Sequence, residues 1–118
     1  MDVDVYVGLI KVDVVVVGAR SLKDLRRPLV SLRDRLRVHY GLSVHQVGSA
    51  MRPARGVLVG VTAGNDARAL RSHMDKAAAF ARGSSVAAVS ASVDVFAWQE
   101  HGMIDDSWIA DGPWRDDE

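Results

Sequence analysis

Basic side chains are the residues of this 118-residue chain whose type and spacing predict a chemistry. Residues 20–55 hold nine Lys or Arg against two Asp, a local charge of +7, although the whole chain is neutral. Cationic side chains gathered on one segment attract polyanions, and the phosphate backbone of a nucleic acid is the commonest of these. The segment therefore predicts a surface that binds phosphate groups.

The centre of this basic segment, residues 21–40, has the pattern of an amphipathic helix. Ser21 followed by Asp24 is typical of a helix start, and Gly41 is typical of a helix end. Leucines recur at spacings of three and four, which predicts one stripe that faces a core. The stripe consists of Leu22, Leu25, Leu29, Leu32 and Leu36, continued by Tyr40.

Three arginines fall in a row just beside the leucine stripe, because Arg26, Arg33 and Arg37 are seven and four residues apart. Lys23 and Arg27 flank that row. An ordinary solvated helix face has the same pattern, so that interpretation stays open beside phosphate binding. The predicted nucleic-acid-binding residues are Arg20, Lys23, Arg26, Arg27, Arg33, Arg37, Arg52 and Arg55.

The sequence offers no pattern for catalysis or for a cofactor. There is no cysteine, no phosphate loop of the Gly-x-x-x-x-Gly-Lys type and no Gly-x-Ser-x-Gly nucleophile turn. The four histidines are scattered, without a partner at metal-ligand spacing on one helix. We therefore expect no catalytic residue, no metal site and no cofactor.

The chain is expected to be cytoplasmic. Its start, MDVDVYVG, is acidic where a secretory signal peptide is basic. No stretch approaches the roughly 20 apolar residues that a membrane span needs, so no membrane partner is expected.

The remaining pattern predicts four strands and a second helix. The strands are expected over Val3–Val17, Leu42–Gly48, Val57–Ala63 and Val86–Phe96, and a helix capped by Asn65 or Asp66 follows the third strand. The order strand, helix, strand, strand, helix, strand predicts an α+β fold. Specifically, it predicts a ferredoxin-like βαββαβ sandwich, in which a four-stranded antiparallel sheet carries both helices on one face.

The sheet face that points away from the helices is predicted to be apolar. In the first strand Val7 and Leu9 have the opposite parity to Ile10 and Val12. Either a bulge near Gly8 switches the faces, or both faces of the strand are covered. An exposed apolar face is usually covered by something, here by a second copy or by the C-terminal tail.

The domain is predicted to span residues 1–96, followed by an acidic tail over residues 97–118. Residues 94–118 hold eight Asp or Glu against one Arg, a local charge of −7. Disordered segments seldom contain many large apolar side chains, so we expect part of the tail to pack on the domain. Its acids would then compete with a polyanion for the basic helix. The large apolar residues are Trp98, Met103, Ile104, Trp108, Ile109 and Trp114.

Several stretches together resemble the YlxP family of small bacterial proteins. These are GARSLKDLRR, SLRDRLR and LSVHQVG, followed by a strand that ends in GNDA before a helix. The resemblance covers roughly residues 3–96 and implies a ferredoxin-like fold. The function of the family is not established, but its genes commonly lie near genes for translation initiation and ribosome maturation, which implies a role close to the ribosome. Relatives usually carry His-Gln-Asp and then Trp after the second strand, whereas residues 48–55 read GSAMRPAR here.

Two functions of different classes follow from the sequence. The first is a non-enzymatic RNA- or ribosome-associated binding module that uses the basic helix face in ribosome maturation or translation, with ribosomal RNA or ribosomal particles as partner. The alternative is a homo-oligomeric protein-interaction or small-ligand-sensing domain that does not bind nucleic acid. It would form a homodimer through the open sheet face or the tail.

Overall fold

The computed structural model describes residues 4–48, 55–84 and 88–99, and these form the predicted order of elements. The sheet order is β2-β3-β1-β4 and neighbouring strands are antiparallel, which confirms the ferredoxin-like α+β sandwich. The predicted loop residues 49–54 and tail residues 100–118 lie outside the described residues. The elements are β1 (Tyr6–Val15), α1 (Leu22–Tyr40), β2 (Ser43–Val47), β3 (Arg55–Gly64), α2 (Ala67–Arg82) and β4 (Ala88–Ala97).

Helix α1 begins and ends where the sequence predicts. The Ser21 hydroxyl accepts the Asp24 N–H at 3.2 Å, and the Asp24 carboxylate accepts the Arg20 N–H at 3.1 Å. Two amide groups before and within the first turn are thereby satisfied. At the other end Gly41 adopts a left-handed conformation with φ of 63°, and its N–H donates to the Arg37 carbonyl.

The leucine stripe of α1 packs on β2 and β3 and forms one half of the core. Leu22 is an exception to the prediction, because 51% of it is exposed. As the first residue of the helix, it lies at the end of the stripe and at the rim of the core. The buried members of the stripe are Leu25, Leu29, Leu32 and Leu36.

Helix α2 covers β1 and β4 and forms the other half of the core. Its N-cap is Asp66, whose carboxylate accepts the Ala69 N–H at 2.9 Å. In its last turn Arg82 donates to the Ala91 carbonyl of β4 at 2.8 Å, which ties the helix end to the outermost strand. The buried residues of α2 form one stripe, namely Leu70, Met74, Ala77, Ala78 and Ala81.

Aromatic residues join the two helices near the end of α1. The His73 ring donates from Nε2 to the Tyr40 carbonyl at 2.7 Å. That carbonyl belongs to the last turn of α1, where carbonyls have no partner within the helix. The Tyr40 ring also lies 5.6 Å from the Phe80 ring, measured between centroids, so polar and apolar contacts hold the helices together at one point.

Strand β1 has apolar residues on both of its faces. It pairs residue by residue with β3 and with β4 from Tyr6 to Val15, so its ladder runs past Gly8 without a bulge. The bulge, the first of the two alternatives, is therefore absent, and no described residue covers the other face. Ile10, Val12 and Val14 are buried under the helices, whereas Val7 and Leu9 are half-buried on the other face, which we call the open sheet face.

Two glycines allow the helices to lie close to the sheet. A Cβ atom at Gly8 of β1 would lie 2.8 Å from Met74 Cγ, and one at Gly56 of β3 would overlap a Leu29 methyl group and lie 3.2 Å from its Cγ. Carbon atoms pack at about 3.5–4.0 Å, so a side chain at either position would force Met74 or Leu29 to move. Each helix therefore packs over a glycine of the sheet.

We expect Gly56→Ala to destabilise the fold by about 1–3 kcal/mol, because the added methyl group overpacks against Leu29. The measurement is the free energy of unfolding from denaturant titration. Gly64→Ala at the other end of β3 is the matched control, since its Cβ would lie 3.7 Å from its nearest neighbour, an ordinary contact. Equal stability of the two variants would show that α1 does not approach the sheet at Gly56.

Candidate functional site

The packing of α1 divides its basic residues into two groups. The leucines point down onto β2 and β3, so residues about a quarter turn away lie beside them on the β2 side. Arg26, Arg33 and Arg37 occupy that flank, and Arg26 shares a small cleft with Gln46, the β2 residue after His45. Lys23 and Arg27 lie further round, on the exposed outer face.

Arg33 and Arg37 are engaged within the chain. The Arg37 guanidinium donates from Nη2 to the Val44 carbonyl of β2 at 2.6 Å. The Arg33 Nε lies 3.0 Å from the Asp34 carboxylate, with 34% and 54% of the two side chains exposed. An ion pair this exposed contributes only about 0–1 kcal/mol, so Arg33 can exchange Asp34 for another anion. Arg37, in contrast, has a structural role at the α1–β2 contact.

Lys23, Arg26 and Arg27 form the most available cationic cluster on α1. They line one shallow groove of about 650 Å³, whose floor includes Leu22 and Val30. All three are exposed. Within the described part of the chain, none of the three is engaged in an ion pair or a side-chain hydrogen bond. We call these three residues the basic cluster.

The structure does not place Arg55 with the basic cluster. Alternate residues of β3 face opposite sides of the sheet, and Gly56 faces α1, so Arg55 lies on the open sheet face. There its guanidinium is 3.2 Å from the Asp13 carboxylate. Arg20 is exposed in the turn before α1, and Arg52 lies outside the described residues.

Two features of this surface were missed by the sequence analysis. The first is the apolar floor of the groove, since Leu22 was assigned to the core and Val30 was not singled out. The second is Arg35, which lies on the opposite flank of α1 and lines a cleft of about 490 Å³ with Pro28 and Phe80, between the two helices. Helical spacing separates Arg35 from the row of Arg26, Arg33 and Arg37, but it does not show what faces it.

The described residues contain no group of three His, Cys, Asp or Glu side chains positioned to hold a metal ion. Neither α1 nor α2 is long and apolar enough to cross a membrane.

Comparison with known proteins gives a family but no activity. The family sequence model described as "Protein of unknown function (DUF503)" matches residues 7–93. No curated protein sequence matches at a significant level. Among solved structures, the de novo designed protein Foldit4 is similar, with a TM-score of 0.45 and 12% identity over 82% of this chain and 99% of that one.

We expect Arg37→Ala to lower the free energy of unfolding by about 1 kcal/mol, because the Val44 carbonyl loses a charged donor. Arg27→Ala is the matched control on the same helix, and we expect a change within about 0.5 kcal/mol, as for other exposed substitutions. Denaturant titration of both variants measures the difference. An Arg37→Ala variant as stable as the control would show that the guanidinium does not hold α1 to β2.

Proposed function

This chain belongs to the DUF503 family of unknown function, and from that premise we propose that it is a non-enzymatic RNA-binding module. Its binding surface is the basic cluster of α1, and its partner is ribosomal RNA or a ribosomal particle in the cytoplasm. The resemblance of residues 3–96 to YlxP proteins, whose genes lie near genes for ribosome maturation and translation initiation, supports the choice of partner.

The observation that carries the proposal is the absence of acidic partners for the basic cluster within the described residues. Lys23, Arg26 and Arg27 place three positive charges within little more than one helical turn. A helix face built only for solubility commonly pairs its charges at a spacing of four residues. Helix α2 does so, since Arg71 lies 3.6 Å from Asp75. The face of α1 concentrates positive charge instead, as a surface for a polyanion requires.

Recognition on this surface is directed at phosphate groups rather than at bases. RNA-binding sheets stack bases on exposed aromatic rings. Here Phe96 and Trp98 are exposed, but they belong to β4 and its extension, on the opposite side of the sheet from α1. Binding that depends on phosphate contacts falls steeply as salt is added and shows little sequence preference.

The alternative function is a homo-oligomeric interaction or ligand-sensing domain, and it is favoured by the apolar character of the open sheet face. That function requires the face to be available to a second copy. Light scattering coupled to size exclusion tests it, because a stable dimer would have twice the 12.8 kDa mass of the chain.

We expect the double variant Lys23→Glu/Arg27→Glu to bind a ribosomal RNA fragment about tenfold more weakly, or worse, at low salt. The slope of log K against log[salt] should fall by about 1.5, since each lost phosphate contact removes roughly 0.7–0.9. Both side chains lie on the outer face, so the stability of the fold should not change. The measurement is a fluorescence anisotropy titration at several salt concentrations.

The matched control reverses two exposed cations of α2, in the variant Arg68→Glu/Lys76→Glu. It changes the net charge of the chain by the same amount but leaves the basic cluster intact. Equal loss of binding in both double variants would mean that overall charge, and not α1, attracts RNA. No binding by the unaltered chain would disprove the proposed function.

A further inference from the structure

The open sheet face is most apolar at the end where β1 begins and β4 ends, which we call the apolar half. There Val7 lies between Ala63 and Phe96, and Leu9 lies between Val61 and Asp94. Towards the other end Lys11, Asp13 and Arg55 add charge, although β3 stays apolar there with Val59 and Val57. In the described part of the chain nothing covers the apolar half, and 44% of Phe96 is exposed.

The chain leaves the sheet at the apolar half of this face. Beyond the end of β4, the Trp98 N–H still donates to the Val5 carbonyl at 2.8 Å. Trp98 continues the alternation of Asp94 and Phe96, and 53% of it is exposed. The described part of the chain therefore ends beside the rim of this apolar surface.

We propose that residues 103–109 of the same chain, MIDDSWI, dock on the apolar half of the open sheet face. The segment carries two apolar pairs, Met103-Ile104 and Trp108-Ile109, around Asp105-Asp106. The apolar pairs bury Phe96, Val7 and Leu9, and the acids between them stay in water, away from Asp94. This interaction is independent of the RNA-binding function of α1.

The length of the chain permits this docking. From Trp98, which lies opposite Val5, to Val61, which lies opposite Leu9, is four residues along the strands and two strand spacings across, or roughly 13 Å by 10 Å. Residues 99–103 span up to about 17 Å when extended, which is enough. Gly102 provides a position at which the chain can turn back over the sheet.

The reach of the chain also makes the basic cluster a poor docking site for residues 103–109. Helix α1 starts after the end of β1, whereas β4 ends beside the start of β1, so the two points are separated by the ten-residue length of the strand, about 33 Å. The segment would also have to pass around the sheet and one helix layer. Trp108 is nine residues beyond Gln99 and reaches at most about 32 Å. Residues 103–109 of the same chain are therefore poorly placed to cover the basic cluster, and masking of α1 by the later acids of the tail stays a prediction.

A second copy is the competing occupant of this face. The tail is favoured because it supplies Met103, Ile104, Trp108 and Ile109 close to the point where the chain leaves the sheet.

A spin label on the tail tests the proposal in the full chain. Because the protein has no cysteine, Ala110→Cys introduces a single site for a nitroxide next to Trp108-Ile109. We expect the amide signals of Leu9, Val61 and Phe96 to be lost in the NMR spectrum of the labelled chain, while those of Lys23 to Val30 on α1 persist. The same label in a Trp108→Ser/Ile109→Ser background should restore the lost signals.

A mixed sample distinguishes docking within one chain from docking between two copies. It contains nitroxide-labelled chains without ¹⁵N and ¹⁵N-labelled chains without nitroxide. Docking within one chain leaves the ¹⁵N signals of the mixture intact. Loss of open-face signals in the mixture, together with a dimer mass in light scattering, would assign the face to a second copy and overturn the proposal. Loss of α1 signals, or no signal loss in the labelled chain, would overturn it equally. Ser72→Cys on the exposed side of α2 is the label control, because its nitroxide lies on the helix side of the sheet and should broaden the signals of α2 more than those of the open sheet face.

Discussion

The fold depends on the burial of four leucines of α1 against β2 and β3. Leu25, Leu29, Leu32 and Leu36 are each at least about nine-tenths buried, and a side chain of this kind contributes roughly 1.5–3 kcal/mol when it is buried. Gly56 allows the helix to lie close enough for this contact. Once the stripe is placed, the helix cannot rotate about its axis without exposing a leucine, so the direction of every other side chain on α1 is fixed as well.

That fixed rotation determines which cations are available to a partner. Arg37 points at the edge of β2 and finds a carbonyl there. Lys23 and Arg27 point into solvent from the same helix and find no acid among the described residues. The local charge of the segment is therefore not spread evenly over its basic residues. Arg37 holds the helix to the sheet, Arg33 pairs with Asp34, and the others carry the positive potential at the surface.

Much of the fold follows from local sequence patterns, whereas the site depends on which strands are neighbours. The leucine spacing, the Ser21 cap and the Gly41 stop are local signals, and the structure confirms them. The parity of Val7 and Leu9 indicated an apolar second face, but it took the continuous ladder of β1 to exclude a bulge. Arg55 lies on the sheet face that points away from α1, because the register of β3 with β1 sets which residues face the helices. Sequence spacing along one segment does not contain that register.

The contact between Arg82 and Ala91 has a consequence for the behaviour of the protein at high concentration. Trp98 and Val5 form a hydrogen-bonded pair. Hydrogen-bonded and non-hydrogen-bonded pairs alternate along antiparallel strands, so Ala91 and Val12 form a non-hydrogen-bonded pair. The backbone N–H and C=O of Ala91 therefore point outwards from the edge of the sheet. Strand β4 is an edge strand of ten residues. A strand of another chain can pair with an exposed edge strand and so start aggregation. Arg82 covers a carbonyl in the middle of that edge. An incoming strand must displace the charged Arg82 side chain before it can pair there. Arg82 at the end of α2 therefore hinders strand addition at this edge of the sheet.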